Sequence, residues 1–339
     1  MVHIKWDNKL STAIDICKGT SQGGLSSPFL FNMFYQKIIN DLSTMAGGIR
    51  IGGTSYNVSC YADDVLLTST TVTGLQNLID YANNYVTAHG LLFNPTKTKC
   101  VIFGKCYLDN PKWTLNDHIL EEVKQINYLG VTLSNDTYDH VKARVTSARR
   151  AFYALQGAGL CKYGAQSDTI IQIWTSAVRP VMTYGTECIY INKKGIQELE
   201  QLQGKLLKSA LGLSKFSRST PLLEALRINK IHSSLETQQL NLLKSIINNG
   251  SKARTFYLHI LKQHMIGKID KHRDLISRLK PVCAKYDIFL MRYIFDDRYS
   301  KLCKRTIKAF KTNDGLVDSI RHQLYSCDRT VINLLLNPF

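Results

Sequence analysis

The stretch SYNVSCYADDVLLTS, residues 55–69, sets two adjacent aspartates, Asp63 and Asp64, between two arms rich in β-branched, aromatic and apolar residues. Such arms around a short polar break read as a β-hairpin, with strands at 55–61 and 65–69 and Ala62-Asp63-Asp64 at the tip. Neighbouring carboxylates repel each other and are poor turn stabilisers. Holding them at the end of two apolar strands makes sense if a divalent cation neutralises them. On this stretch alone an ordinary acidic turn explains them as well.

Working outward toward the start, residues 2–6 and 13–17 read as short strands around an Asp7-Asn8-Lys9 turn, followed by the glycine-rich GTSQGG at 19–24. Ser27-Pro28 opens a helix over 28–43, with Phe29, Leu30, Met33, Phe34, Ile38 and Leu42 expected on one side. Beyond the hairpin, Thr73-Gly74-Leu75-Gln76 reads as a capping box for a helix ended by Gly90, and strands follow at 99–104 and 128–133. The expectation is an α+β domain with an antiparallel sheet backed by helices. From about 138 the pattern becomes helical, with runs at 194–211, 220–227, 232–248 and 253–266. SNDT interrupts the pattern, so a boundary is placed near 134–138.

Charge divides at the same place. The whole chain carries 43 Lys+Arg, 26 Asp+Glu and a net charge of +17. Residues 1–134 hold 10 of each sign, so the later part holds the remaining 33 and 16, which is the whole excess. A basic module of this kind suits a polyanion such as nucleic acid, although solvated helix faces give the same composition. The nine cysteines are scattered, with no C-x-x-C pair and no zinc-ligand spacing, and read as reduced thiols. The opening MVHIKWDNKLST lacks the apolar core of a secretory signal, and no stretch approaches the roughly 20 apolar residues that span a bilayer. The expectation is an intracellular protein of the nucleus or cytoplasm with no membrane partner.

Four stretches in order resemble the motifs of reverse transcriptases. GTSQGGLSSPFLFN at 19–32 is similar to the template-and-nucleotide motif, and YADD at 61–64 to the catalytic motif. GLLFNPTKTK at 90–99 is similar to the lysine-bearing motif, apart from Pro95 inside it, and Tyr128-Leu129-Gly130 to the primer grip. RPVMTYGTE at 179–187 resembles the segment beyond the thumb in the enzymes of non-LTR retrotransposons. The resemblance implies a partial polymerase palm over 1–134 and an all-helical thumb and post-thumb region over 135–250. Residues 251–339 are then a basic helical region of unassigned role.

The resemblance also implies roles. Asp63 and Asp64 would be catalytic and hold Mg2+ or Mn2+ for template-directed nucleotidyl transfer, and Lys97 would stand near the triphosphate as a general acid. Gln22, Gly23, Ser27, Pro28, Tyr61 and Ala62 would line the nucleotide and template pocket. Tyr128, Leu129 and Gly130 would press the primer end toward Asp63. Lys142, Arg144, Arg149 and Arg150, read as lying opposite the apolar stripe of one helix, would track the backbone. Substrates would be an RNA template, a DNA primer and dNTP. Each residue has a plainer reading: helix cap and loop for 19–28, surface lysine for Lys97, strand for 128–130, exposed charge for the four basic residues. Trp174, Tyr184 and Glu187 read as core and interface residues.

The family needs another catalytic aspartate upstream, and only 18 residues precede Gly19, with Asp7 and Asp15 in positions that do not match. The resemblance therefore implies an N-terminally truncated fragment, inactive alone. The alternatives are a non-catalytic nucleic-acid-binding remnant, or an enzyme completed by the missing N-terminal part of the polyprotein.

Overall fold

The computed structural model describes residues 2–15, 23–104, 111–159, 166–265, 274–295 and 301. They fall into two compact units, one of 1–100 with 107–122 and one of 101–106 with 123–339. The division lies ahead of the break read at 134–138, and the hairpin over 125–134 goes with the helices.

In the first unit a small hairpin pairs β1 (Lys5–Trp6) with β2 (Lys9–Leu10) around Asp7-Asn8. The second arm is thus nearer than the 13–17 expected; Ile14 only bridges back to Val2, and residues 16–17 lie outside the described residues. Helix α1 (Ser27–Thr44) starts with Pro28 in its first turn, with Ser26 rather than Ser27 at the cap position. Its buried face is Tyr35, Ile38 and Leu42, with Phe31 and Phe34 partly covered. Phe29, Leu30 and Met33 are exposed. The expected stripe holds for Phe34, Ile38 and Leu42, while Phe29, Leu30 and Met33 lie about 120–160° round from Tyr35 at about 100° per residue.

Strands β3 (Arg50–Ile51) and β4 (Thr54–Ser55) form a tight hairpin that leads into β5 (Val58–Tyr61) and β6 (Asp64–Leu67). Helix α2 (Val72–Ala88) is capped by Thr71, whose hydroxyl accepts from Gly74 N–H, and not by the expected Thr73 box. Gln76, the other half of that box, is instead spent on Thr114, donating to its C=O and accepting from its N–H. The helix ends as expected: Gly90 takes φ +73 and Leu91 N–H returns to Val86 C=O, which satisfies a terminal carbonyl. The core joins Tyr35, Ile38 and Leu42 of α1 to Leu78, Ala82 and Val86 of α2, with Val58 beneath the hairpin. Only β7 (Lys99–Cys100) forms in the expected 99–104 strand, paired in parallel with β10 (Glu121–Glu122). Between them, β8 (Thr114–Leu115) and β9 (His118–Ile119) make one more hairpin. The antiparallel pairing is thus present as separate two-stranded ribbons among the described residues, not as one sheet.

The second unit opens with a hairpin of β11 (Gln125–Tyr128) and β12 (Val131–Ser134). The helices are α3 (Tyr138–Gly157), α4 (Ser167–Ile173), a π-helical turn at Trp174–Val178, α5 (Arg179–Thr183), α6 (Lys193–Ala210), α7 (Ser219–Ala225), α8 (Ile231–Asn248), α9 (Lys252–Met265), α10 (Leu275–Tyr286) and α11 (Leu290–Phe295). They enclose two cores. One gathers Val141, Val145, Phe152, Trp174, Leu199 and Leu206, and the other Leu243, Ile247, Leu275, Leu279 and Tyr293. Helix α8 serves both, with Ile231 and Leu235 in the first and Leu240, Leu243 and Ile247 in the second. Between these, Glu236 is 5% exposed and receives His232, Lys285 and the Tyr286 hydroxyl. Burial alone would raise its pKa, but those three partners outweigh it and hold the carboxyl at about 2, which ties α8 to α10 as a satisfied buried charge.

Among the described residues no helix is long and apolar enough to cross a membrane.

Candidate active site

The β5–β6 register pairs Val58 with Leu67, Cys60 with Val65 and Tyr61 with Asp64. Side chains alternate across a strand, so Cys60, Val65 and Leu67 turn toward the core while Tyr61 and Asp64 share the other face. The loop itself is the two residues Ala62 and Asp63. Asp63 and Asp64 are exposed, and so is the Tyr61 ring at 65%. This exposure is unlike a core strand residue and leaves an aromatic face beside the carboxylates. Behind the tip lies Tyr35, only 6% exposed, stacked on Phe31. Its hydroxyl is held protonated above the usual range, first by burial and then by the charges of Cys60 and Asp63.

Ala62 sits at φ +50, in the left-handed region that costs a side-chain-bearing residue about 1–2 kcal/mol. Strain of this kind persists where the surroundings impose it. Ala62→Gly is expected to raise the stability of the first unit by up to about 1 kcal/mol, part of the relief being offset by glycine's greater unfolded freedom. Denaturant unfolding followed at Tyr61 checks this, and a loss of stability would show the turn to be unstrained.

The base of the hairpin is fixed by a residue the sequence reading passed over. Asn57, fully buried, donates from Nδ2 to the carbonyls of Leu42 and Met45, 3.0 Å each, where α1 ends. Its own carbonyl accepts from Thr68 N–H at 2.8 Å, closing the ladder above β6. Gly48 makes room for it, since a Cβ there would lie 1.7 Å from Asn57 Oδ1. The only trace in sequence is a polar residue where an apolar strand begins and a glycine pair nine residues before it.

Of the 19–28 motif, Gly19 and Gln22 lie outside the described residues. Gly23 has φ +82 in an open turn, and Ser27 and Pro28 begin α1. In 90–99, Pro95 is no blemish. Asn94 accepts from Thr96 N–H on its side chain and from Thr98 N–H on its carbonyl, so Pro95 is the first residue of a single helical turn. Lys97 is exposed on that turn, and among the described residues its ammonium has no partner. Lys99 is engaged with Glu121 on the β7–β10 pair. No hydrogen bond or ion pair among the described residues joins Lys97 to Asp63 or Asp64.

Tyr128-Leu129-Gly130 is not the strand expected. Tyr128 pairs with Val131, and Leu129 and Gly130 form the two-residue turn at φ +48 and φ +76. Positive φ at both positions matches the twist of a tight hairpin, but leucine is a poor occupant, which is why the turn was hidden. The turn is clasped by the 179–187 segment. Tyr184 donates its hydroxyl to Leu129 C=O at 2.9 Å, and a Cβ on Gly130 would lie 3.0 Å from the Tyr184 ring. His140, fully buried, ties the two together: Thr132 N–H donates to Nδ1 at 3.1 Å, so Nε2–H donates to Tyr184 C=O at 2.9 Å. Burial lowers its pKa first, and Arg144 adds to this against the pull of the Tyr184 carbonyl. Tyr184 therefore does more than fill an interface.

The four basic residues of α3 do not share one face. Arg144 is half-buried with its guanidinium over the Tyr184 ring, 5.8 Å from the centroid. Lys142 pairs with Asp139 and lies over Tyr138. Arg149 and Arg150 are exposed, and Arg149 faces α6 across a groove of about 310 Å³ that Lys194 and Lys205 also line. Trp174 is core, 2% exposed, as read.

No group of three or more His, Cys, Asp or Glu positioned to hold a metal ion occurs among the described residues. Asp63 and Asp64 supply the oxygen donors a hard cation prefers, but as a pair at one tip they do not make a two-metal centre.

Residues 2–133 match the family described as reverse transcriptase (RNA-dependent DNA polymerase). The chain is 32% identical over 80 residues, 24% of its length, to the Retrovirus-related Pol polyprotein from type-2 retrotransposable element R2DM of Drosophila melanogaster. It is 33% identical over 101 residues, 30% of its length, to the Retrovirus-related Pol polyprotein from type-1 retrotransposable element R2 of Bradysia coprophila. The matched parts cover 8% and 11% of those polyproteins. Residues 2–133, with the Asp63-Asp64 hairpin at their centre, thus belong to the reverse transcriptase family, in the branch of non-LTR retrotransposable elements.

Proposed function

We propose that this chain contributes part of the palm, the thumb and the helices beyond them to an RNA-directed DNA polymerase, and that it acts only together with a segment supplying the opposing carboxylate. The observation that carries this is the pair of exposed carboxylates on a two-residue hairpin tip within the matched domain. In this reading Asp63 and Asp64 are metal ligands for Mg2+ or Mn2+, which when bound would stabilise charge at the reacting phosphate. The chain's own part is positioning. Tyr61 offers a stacking face beside the tip, Ala62 sets the turn, and Gln22, Gly23, Ser27 and Pro28 border the nucleotide. Lys97, exposed and without a partner among the described residues, is free to meet a triphosphate. The Leu129-Gly130 turn after Tyr128 supports a primer end, and Lys142, Arg149 and Arg150, joined by Lys194 and Lys205 of α6, follow the phosphate backbone. Arg144 holds Tyr184 and enters that list only indirectly.

The test is primer extension with dNTP on an RNA template in Mg2+ or Mn2+, using the chain alone and the chain mixed with the upstream reverse transcriptase segment of a matched R2 polyprotein. Incorporation is expected only in the mixture, and Asp63→Ala should remove it. Activity of the chain alone, or activity surviving that substitution, overturns the reading. The second reading, binding without chemistry, is favoured by the net charge of +17 and predicts salt-dependent RNA binding with no incorporation in either case.

A further inference from the structure

A cleft of about 500 Å³ opens in the second unit between the π-helical turn with α5 on one side and α8 on the other. It is lined by residues of the 179–187 segment that polymerase chemistry leaves unused. On one wall stands Arg179, largely desolvated, which lowers its pKa, and without an ion pair among the described residues. One of its terminal nitrogens donates to Asn229 C=O and to Ser234 Oγ, which leaves other donors of the fork uncommitted. A largely desolvated cation that makes no direct ion pair is costly unless something else meets it. Glu187 and Gln238 line the same space, Glu187 bringing a carboxylate to it. Tyr184, half exposed, forms the rim and reaches the Leu129-Gly130 turn through its hydroxyl. Thr175 brings the π-helical turn into the lining; such turns recur at functional sites.

The lining selects the ligand. A phosphate would want donors alone, and the Glu187 carboxylate would repel it. A nucleobase edge presents acceptors and donors side by side, and guanine offers O6 and N7 to a guanidinium fork while its N–H groups suit a carboxylate. The volume lies in the range of small-ligand sites, and an exposed tyrosine at the rim gives a stacking platform. We propose that this cleft binds one unpaired purine base, guanine in preference, of a single-stranded stretch of nucleic acid leaving the Leu129-Gly130 turn. The proposal rests on the nucleic-acid reading above and adds to it a site that reads sequence.

The experiment measures binding of the full chain to a fluorescent ten-residue oligouridylate carrying one internal guanine, adenine or abasic position, across a salt series. The guanine strand is expected to bind about tenfold more tightly than the abasic strand, the effect of one well-made base contact. R179A and, separately, E187A should bring the guanine strand down to the affinity of the abasic one. E187A leaves the Arg179 bonds to Asn229 and Ser234 in place, so it keeps the test sound if R179A fails to fold. Equal binding of guanine and abasic strands, or a preference that survives E187A, overturns the cleft while leaving the nucleic-acid reading intact. No binding to any strand at low salt overturns both.

Discussion

Gly48→Ala is expected to cost the first unit about 3–5 kcal/mol, because the new Cβ would occupy the position of the Asn57 amide. Asn57 Oδ1, Cγ and Nδ2 would lie 1.7, 1.9 and 2.4 Å from that carbon, so the side chain must leave. Leaving strands the Met45 carbonyl and removes from the Leu42 carbonyl one of its two donors, the other being Met45 N–H. The end of α1 and the base of the Asp63-Asp64 hairpin then come apart together. Asn57→Ala should cost somewhat less, about 2–3 kcal/mol, since it removes the bonds without a clash. The decisive measurement is the double variant. Once Asn57 is alanine the Cβ at 48 meets no amide, so the pair should be no worse than Gly48→Ala alone, a strong departure from additivity. Hydrogen exchange at Thr68 N–H, which donates to Asn57 C=O, reports on this hairpin without assuming that both units unfold as one. Additive losses would show that the two residues act separately.

How far the sequence could be read depended on which interactions carry each element. Helices α2, α6, α8 and α9 follow apolar spacing of three and four residues, a local signal, and formed close to the expected limits. The tip of the hairpin was legible because its strands are apolar on both sides of a polar break. The details that aim the site were not, because each depends on a distant partner. Asn57 has meaning only once α1 is beside it. The Leu129-Gly130 turn is concealed by a leucine where turn chemistry calls for asparagine or glycine, and it stands because Tyr184 and His140 hold it. Arg144 looked like one of four equivalent cations until the Tyr184 ring took it out of the set. On α1 Phe34, Ile38 and Leu42 lie on the core side as read while Phe29, Leu30 and Met33 do not, since apolar residues that remain exposed carry the same periodic signature as buried ones.

His140→Ala is expected to loosen that clasp, with a local loss of about 3 kcal/mol. The Thr132 N–H and the Tyr184 carbonyl would both be left without partners, in a void where a fully buried ring had been. The same contact makes the turn sensitive to acid, and the sign follows from its geometry. Nδ1 must remain an acceptor for Thr132 N–H, so the folded state prefers the neutral ring, and burial with Arg144 nearby lowers its pKa below 6.5. The unfolded chain then binds the proton more readily than the folded one. The contribution of His140 is complete above about pH 6.5 and is lost as the pH falls below it toward the lowered folded value. In hydrogen exchange, the Thr132 amide should open faster between pH 6.5 and 5, after correction for intrinsic exchange, while amides in the core of α8 change little. His140→Gln can accept from Thr132 N–H without titrating there, so it should flatten that dependence while recovering part of the stability. A turn equally acid-sensitive in the glutamine variant would place the titrating group elsewhere. If primer extension can be measured in the reconstituted enzyme, the same substitutions carry over. His140→Ala should raise the KM for primer more than it lowers kcat, because the ring touches the support of the Leu129-Gly130 turn and not the reacting atoms, and His140→Gln should restore most of it.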